Sequence, residues 1–135
     1  MDGQDLQDKG MLHADITEAV IACAFEVIKE LGAGFLESVY EKALLLVLRQ
    51  KWLSAVAQHP LKVLFRGENV GEFFADLLVE QKVIVELKVV KTLAPEHQAQ
   101  LINYLQASGF EVGLLINFGN PRLEIKRCSR SKTMQ

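Results

Sequence analysis

The chain has 135 residues, of which 50% are hydrophobic and 24% charged, and its formal net charge at pH 7 is -2. This length supports one domain with a sizeable core, and the charge argues against a protein held on nucleic acid mainly by overall positive charge, although a local basic groove stays open. Cys23 and Cys128 lie far apart in the sequence and have no metal-ligand spacing. Two cysteines in a chain of this composition indicate a reducing compartment. No apolar run approaches the roughly 20 residues of a spanning helix, so we expect a cytoplasmic protein without a membrane partner.

The chain divides into an arm, one domain and a tail. Residues 1–12 are polar without apolar periodicity and predict a flexible N-terminal arm. Residues 13–128 hold the periodic apolar patterns and predict a single domain without internal repeats. Residues 129–135 predict a basic C-terminal tail, which is either a solvated terminus or a contact to a phosphate backbone.

Helical periodicity occurs in three stretches of the sequence. Apolar residues at spacings of three and four predict helices over residues 13–31 and 36–51, and Gly32-Ala33-Gly34 separates them. A third helix is predicted over residues 95–107, where Pro95 suits the first turn.

Extended patterns fill the remaining segments, at residues 53–58, 61–66, 70–79, 83–90, 112–117 and 123–127. His59-Pro60 is expected to break the first of them from the second. The third helix links residues 83–90 to 112–117 as a right-handed crossover, so these two strands should be parallel. The order predicts an α/β (α+β) fold with a mixed sheet of four to five strands flanked by helices.

One predicted hairpin carries charges inside apolar runs. Asp76 lies in its first strand, and Glu86 and Lys88 lie in its second, where an unpartnered charge would cost several kcal/mol. If Glu80-Gln81-Lys82 is a three-residue loop, Asp76 faces Glu86 with Cβ atoms about 4.5–5.5 Å apart. A loop of two or four residues would place the two carboxylates on opposite faces.

These charges suit a metal-dependent phosphodiesterase site. Magnesium is usually bound by one or two carboxylates together with waters and substrate phosphate. Asp76 and Glu86 could supply the carboxylates, with the backbone carbonyl of Leu87 as a further ligand. Lys88 could orient or help deprotonate a water, or balance charge on the phosphate.

Two helices could complete the same site. Glu37 could add a carboxylate if the second helix packs over the hairpin, and Gln100 could hydrogen-bond the lysine, a water or the phosphate. The alternative is a structural charge network, in which Lys88 pairs with Glu86 and Asp76 caps a turn.

Other polar and aromatic residues have simpler structural interpretations. Tyr40 is expected to pack with its hydroxyl hydrogen-bonded, Trp52 and Phe118 are expected in the core, and Gly34 links two helices. His97 is either locally hydrogen-bonded or a phosphate contact. Structural roles are also expected for Asn103 and Tyr104.

Several motifs in this order carry a family resemblance. Asp76 followed by Glu86-Leu87-Lys88 resembles the catalytic signature of the PD-(D/E)xK nuclease superfamily, with Ala75 in place of the leading proline. Gly34-Phe35-Leu36-Glu37-Ser38-Val39-Tyr40 matches a GxxExxY motif. With the segments 75–79, 83–88, 97–105 and 113–119, the chain from about residue 13 to 128 resembles the GxxExxY protein family.

The resemblance implies a restriction-endonuclease-like core and a phosphodiesterase site that uses Mg²⁺ or Mn²⁺. It makes Asp76 and Glu86 metal ligands, Lys88 the catalytic lysine, Glu37 the helix carboxylate and Gln100 the helix glutamine. The superfamily includes DNA and RNA nucleases and members that bind or scaffold without cutting. The expected function is therefore a nuclease, with a non-catalytic nucleic-acid-binding or assembly module as the alternative. A homodimer or a protein partner would add surface for holding a duplex.

Overall fold

The structure, a computed structural model, describes residues 11–130. Its elements are helices α1 (Ala14–Leu31) and α2 (Glu37–Gln50), strands β1 (Ala55–Phe65), β2 (Glu68–Val79) and β3 (Val83–Lys88), helix α3 (Pro95–Ser108), and strands β4 (Val112–Asn117) and β5 (Glu124–Ser129). The strands form one mixed sheet in the order β1-β2-β3-β4-β5, which confirms the predicted α/β (α+β) class. Most of the predicted arm and tail, residues 1–10 and 131–135, lies outside the described residues. None of the helices in residues 11–130 is long and apolar enough to cross a membrane.

The sheet buries both of its faces. Helices α1 and α2 cover one face, where Tyr40 and Val85 belong to one apolar cluster. Helix α3 covers the other face, where Leu101 packs with Ile84. Strands β3 and β4 are parallel, as the crossover predicted, and every residue of β4 is buried. Burial on both faces explains why these central strands are nearly continuous apolar runs.

The β2–β3 hairpin has the predicted three-residue loop. Its register pairs Leu77–Val79 with Val83–Val85. Asp76 and Glu86 therefore stand opposite each other, one position beyond the last paired residues. Two loop residues, Glu80 and Gln81, adopt the left-handed backbone conformation that closes the turn.

Strand β1 continues through His59-Pro60, so the predicted break there is wrong. Pro60 pairs in register with Phe74. Because β1 is an edge strand, the missing N–H of a proline need not leave a ladder bond unmade. The strand has two irregularities elsewhere: Gln58 has a φ of 53°, in the left-handed region, and the register with β2 shifts between Val63 and Leu64.

Tyr40 fastens the loop that precedes α2. Its hydroxyl donates to the carbonyl of Gly32 at 2.6 Å and accepts the backbone N–H of Phe35 at 3.2 Å. Its ring stacks on Phe118, with 4.7 Å between ring centroids, and both side chains are fully buried. The predictions for Tyr40 and Phe118 are confirmed, and the first residues of α2 are held at a fixed position.

The prediction that Trp52 belongs to the core is wrong, because its side chain is 94% exposed. Trp52 follows the end of α2 with a left-handed backbone, φ 66°. The next residue, Leu53, packs against the core in its place.

Asn117 fixes the segment that leaves β3. Its Oδ1 accepts the backbone N–H groups of Val90 and Gly119 at 3.0 and 2.9 Å. Its Nδ2 donates to the carbonyl of Val90 and to Glu124, both at 2.9 Å. Since Val90 is two residues beyond Lys88, this buried amide sets where β3 ends, earlier than the predicted residue 90.

We expect Gly119→Ala to lower the free energy of unfolding by about 2 kcal/mol or more. A Cβ at this glycine would lie 1.9 Å from the carbonyl oxygen of Val90, which is itself held by Asn117. Urea unfolding measures the change. Gly71→Ala is the matched control, since its Cβ would meet Val63 at an ordinary 3.9 Å. Equal stability of the two variants would contradict the tight packing at Gly119.

Candidate active site

Asp76 and Glu86 each bond to the backbone of the opposite strand. Glu86 Oε2 accepts the backbone N–H of Asp76 at 2.7 Å, and Asp76 Oδ2 accepts the backbone N–H of Leu87 at 2.7 Å. These crossed bonds begin where the paired register of β2 and β3 ends. They fix both carboxylates at the point where the two strands separate.

Strand β2 is twisted at Asp76, so that the residues on its two sides pack on opposite faces of the sheet. Leu77 packs in the cluster beneath α1 and α2, whereas Ala75 packs in the cluster beneath α3. The pairing of β1 with β2 is kept on both sides of Gln58 and Asp76 but skips these two residues. The twist places Asp76 between the helices of the two faces.

Burial opposes ionisation of both carboxyl groups. Burial, followed by the charge of Asp76, raises the pKa of Glu86 to about 8. Burial also raises the pKa of Asp76, although hydrogen bonds from Leu87 and Gln58 act in the other direction. Two negative charges in this position are therefore unfavourable without a nearby cation.

Glu37 and Lys88 approach the pair from α2 and β3. Burial and then the charge of Asp76 raise the pKa of Glu37, and Lys88 opposes the rise. Lys88 also acts against the raised pKa values of Asp76 and Glu86. Among residues 11–130 the ion pairs join Lys51 to Glu26 and Arg130 to Glu111. The structural network with a Lys88–Glu86 pair is thus not the arrangement found.

Two side chains that the sequence did not indicate, Gln58 and Glu41, lie next to Asp76. The Gln58 amide donates to Glu41 Oε1 at 2.6 Å and to Asp76 Oδ1 at 3.4 Å. Burial raises the pKa of Glu41, and the charge of Asp76 adds to the rise. Glu41 follows Glu37 by four residues, a spacing that signals one helix face. Gln58 gives no such signal, because its position depends on the left-handed backbone in β1.

Helix α3 borders the site from the other face. Burial and then the charge of Glu86 raise the pKa of Tyr104, while a hydrogen bond from Gln100 opposes the rise. The Tyr104 ring stacks on Phe73 with 3.7 Å between ring centroids. Tyr104, predicted to be structural, therefore also lies near the two carboxylates, and the exposed Gln100 lies beside it.

His97 caps the N-terminus of α3. Its Nδ1 accepts the backbone N–H of Ala94 at 3.0 Å, so the interpretation as a locally hydrogen-bonded histidine is confirmed. Asn103 is exposed on the same helix.

The oxygen donors at Asp76 and Glu86 fit a small, hard cation. No group of three or more His, Cys, Asp or Glu side chains forms a metal site within the described part of the chain. Magnesium requires fewer protein ligands, because water and substrate phosphate complete its octahedron. Two carboxylates from neighbouring strands, with the Leu87 backbone carbonyl next in sequence, match that smaller donor set.

We expect the stability of the metal-free protein to fall as pH rises from about 4.5 to 8. Glu86 has a raised pKa of about 8 in the folded state, so the folded protein binds more protons than the unfolded chain in this window. Each unit of pKa difference is worth about 1.4 kcal/mol. Urea unfolding across this pH range should show the slope, and Glu86→Gln should reduce it. A smaller slope should remain, because the pKa values of Asp76, Glu37 and Glu41 are also raised.

Glu72→Gln is the matched control, since Glu72 is exposed on the same strand as Asp76. This variant should keep the slope of the wild type. A wild-type stability that is level or rises over the window would contradict the burial of Glu86 as a proton-binding group.

The chain was compared with family models, with curated proteins and with solved structures. Curated proteins gave no match. The crystal structure of SSO0001 resembles the chain with a TM-score of 0.55 and 20% sequence identity, covering 70% of this chain. The chain spans 50% of the length of that protein, and the likeness shows the fold alone. A family model described as the PD-(D/E)XK nuclease superfamily matches residues 14–128. The five-stranded mixed sheet with its three helices is consistent with a restriction-endonuclease-like fold, and the chain belongs to the PD-(D/E)XK nuclease superfamily.

Proposed function

We propose that the protein is a metal-dependent nuclease that hydrolyses phosphodiester bonds in DNA or RNA with Mg²⁺ or Mn²⁺. Membership of the superfamily supports nuclease chemistry. The observation that carries the proposal is the pair of crossed hydrogen bonds that holds the Asp76 and Glu86 carboxylates together beside Lys88. The motif from Gly34 to Tyr40 further supports placement in the GxxExxY family.

The residues have separate roles in this proposal. A divalent metal supplies polarisation of the scissile phosphate and activation of the attacking water. Asp76 and Glu86 bind it together with the Leu87 carbonyl, and Glu37 offers a further carboxylate. Lys88 orients the water or offsets the negative charge that grows on the phosphate during attack.

Residues around this centre position the substrate and the ligands. Gln100, exposed on α3, holds a water or a phosphate oxygen at the rim of the site. Gln58 positions the Asp76 carboxylate, since its amide donates to Oδ1, the oxygen that does not accept from Leu87. Glu41, four residues after Glu37 on α2, accepts a hydrogen bond from the same Gln58 amide.

The net charge of -2 favours a second candidate function. A small acidic domain attracts a polyanion weakly, since phosphate contacts from Lys and Arg dominate such binding. Of the two non-catalytic roles, assembly with a protein partner fits this charge better than binding of nucleic acid. In either role the protein would keep the fold and its acidic site without turnover. Metal binding alone does not separate the two functions, whereas cleavage does.

We expect Lys88→Ala to lower the cleavage rate about 100-fold or more while metal binding persists, because the lysine acts on the reacting phosphate and not as a ligand. Cleavage of single- and double-stranded DNA and RNA with Mg²⁺ or Mn²⁺ gives the rate, and calorimetric titration with Mn²⁺ gives the binding. Lys82→Ala, in the exposed hairpin loop, is the matched control and should cleave as the wild type does.

Asp76→Asn should lose both cleavage and Mn²⁺ binding in the same two assays. If the wild type binds Mn²⁺ but cuts none of the four substrates, the non-catalytic function replaces the nuclease. If Lys88→Ala and Asp76→Asn both cut as fast as the wild type, the site is not the one proposed.

A further inference from the structure

Gln58 is the one residue of β1 with a strained backbone. Its φ of 53° lies in the left-handed region, which residues with a Cβ avoid and in which Asn, Asp and His are the usual exceptions. The pairing of β1 with β2 skips Gln58 and the residue opposite it, Asp76. Strain of this kind clusters at functional sites, so the contacts of the strained residue indicate its use.

The side chain of Gln58 bridges two acids. Its amide nitrogen donates to Glu41 Oε1 at 2.6 Å and to Asp76 Oδ1 at 3.4 Å. Carboxylates accept hydrogen bonds, so the nitrogen end of the amide must face both acids, and its two N–H groups suffice for the two bonds. The left-handed backbone thus directs this amide between α2 and β2.

The two bonds of the amide differ in strength. The bond to Glu41 is short and charge-assisted, whereas the bond to Asp76 is longer than most hydrogen bonds. The amide is therefore anchored on Glu41, and its second N–H is directed at Asp76. Because Gln58 is exposed, its amide would be free to rotate without this anchor.

The two oxygens of Asp76 also differ in their contacts. Oδ2 accepts the Leu87 N–H at 2.7 Å, and this strong bond fixes the carboxylate to β3. Oδ1 accepts the long bond from Gln58 and keeps a lone pair for a cation. Oδ1 is thus the oxygen better able to bind a metal, and Gln58 determines its direction.

We propose that Glu41 is a positioning residue of the metal site, which acts through Gln58 to keep Oδ1 of Asp76 directed at the cation. This role rests on the proposed function, because it requires that Asp76 bind the metal. Hydrogen bonds to a ligating carboxylate fix its orientation, and their loss typically lowers metal affinity about 10- to 100-fold. The two glutamates of α2 then have separate roles, since Glu37 offers a ligand and Glu41 holds the amide.

A positioning role and a ligand role require different properties of Glu41. A metal ligand contributes its negative charge, whereas positioning requires only an oxygen that accepts from the Gln58 amide. Glu41→Gln removes the charge and keeps such an oxygen. Glu41→Ala removes both.

Calorimetric titration with Mn²⁺ separates the two roles. Glu41→Ala should raise the Kd for Mn²⁺ about tenfold or more, and Glu41→Gln should restore most of that loss. If Glu41→Gln binds as weakly as Glu41→Ala, the glutamate acts through its charge and the proposal is wrong. Binding as tight as that of the wild type in Glu41→Ala would overturn it as well.

Gln58→Gly removes the amide and the backbone strain together. This variant should raise the Kd for Mn²⁺ about tenfold or more. Its metal-free form should resist urea at least as well as the wild type, because glycine adopts the left-handed conformation freely. Gln81→Gly is the matched control: Gln81 is an exposed glutamine with a φ of 59°, and this variant should keep the wild-type Kd. A Gln58→Gly variant that loses stability but binds Mn²⁺ as the wild type does would contradict the positioning role.

The Gln58 amide also reports its contacts in the absence of metal. In NMR spectra of the metal-free protein, its side-chain N–H signals should differ from those of the exposed Gln81 and should move towards them in Glu41→Ala. Wild-type signals that coincide with those of Gln81 would overturn the positioning role and leave the proposed function standing. A wild type that binds no Mn²⁺ would instead refute the proposed function, and the positioning role with it.

Discussion

The crossed hydrogen bonds between Asp76 and Glu86 are the interaction on which the proposed site depends. Each carboxylate accepts a backbone N–H from the opposite strand, so neither can turn away without leaving a partly buried donor unsatisfied. The bonds work against the cost of burying two acids together, which is visible in the pKa of about 8 at Glu86. A fold that holds two acids this way keeps them ready for a cation.

The rest of the fold supports that pair from three directions. Strand β3, which pairs with the buried strand β4, carries Glu86 and Lys88 into the molecule. Asn117 secures the segment after Lys88 through both polar atoms of its amide. Tyr40 ties the loop before α2 and so fixes where Glu37 begins that helix. The contacts that stabilise the fold lie mostly away from the carboxylates. The close approach of the two buried acids is itself electrostatically unfavourable.

The sequence was informative wherever a local pattern determined the geometry. The loop Glu80-Gln81-Lys82 is flanked by apolar runs, and side chains in a strand alternate with a period of two residues. The register of the hairpin could therefore be counted from the sequence, and it places Asp76 opposite Glu86. The residue pattern placed Glu37 and Gln100 in the site only on the condition that their helices pack over the hairpin, and the motif resemblance supplied that packing, because no local rule states which helix packs over which strand. Pro60 was misjudged since a proline breaks a central strand but is tolerated on an edge, and edge placement is a property of the whole sheet.

Gln58 and Trp52 were missed for a related reason. Both residues adopt a left-handed backbone that their side chains disfavour, and sequence patterns assign such positions to glycine or asparagine. At Gln58 the unusual φ accompanies a hydrogen bond to the site, and at Trp52 it accompanies an indole exposed to solvent. At Gln58 the departure from local preference therefore coincides with the candidate site.

We propose that Asp76 and Glu86 bind one divalent cation between them. Crystals of the full chain grown with Mn²⁺, measured at a wavelength where manganese scatters anomalously, test it most directly. We expect one anomalous peak within ligand distance of the Asp76 and Glu86 carboxylates and the Leu87 carbonyl oxygen. A map with no peak there, while the crossed hydrogen bonds stay as they are, would contradict it.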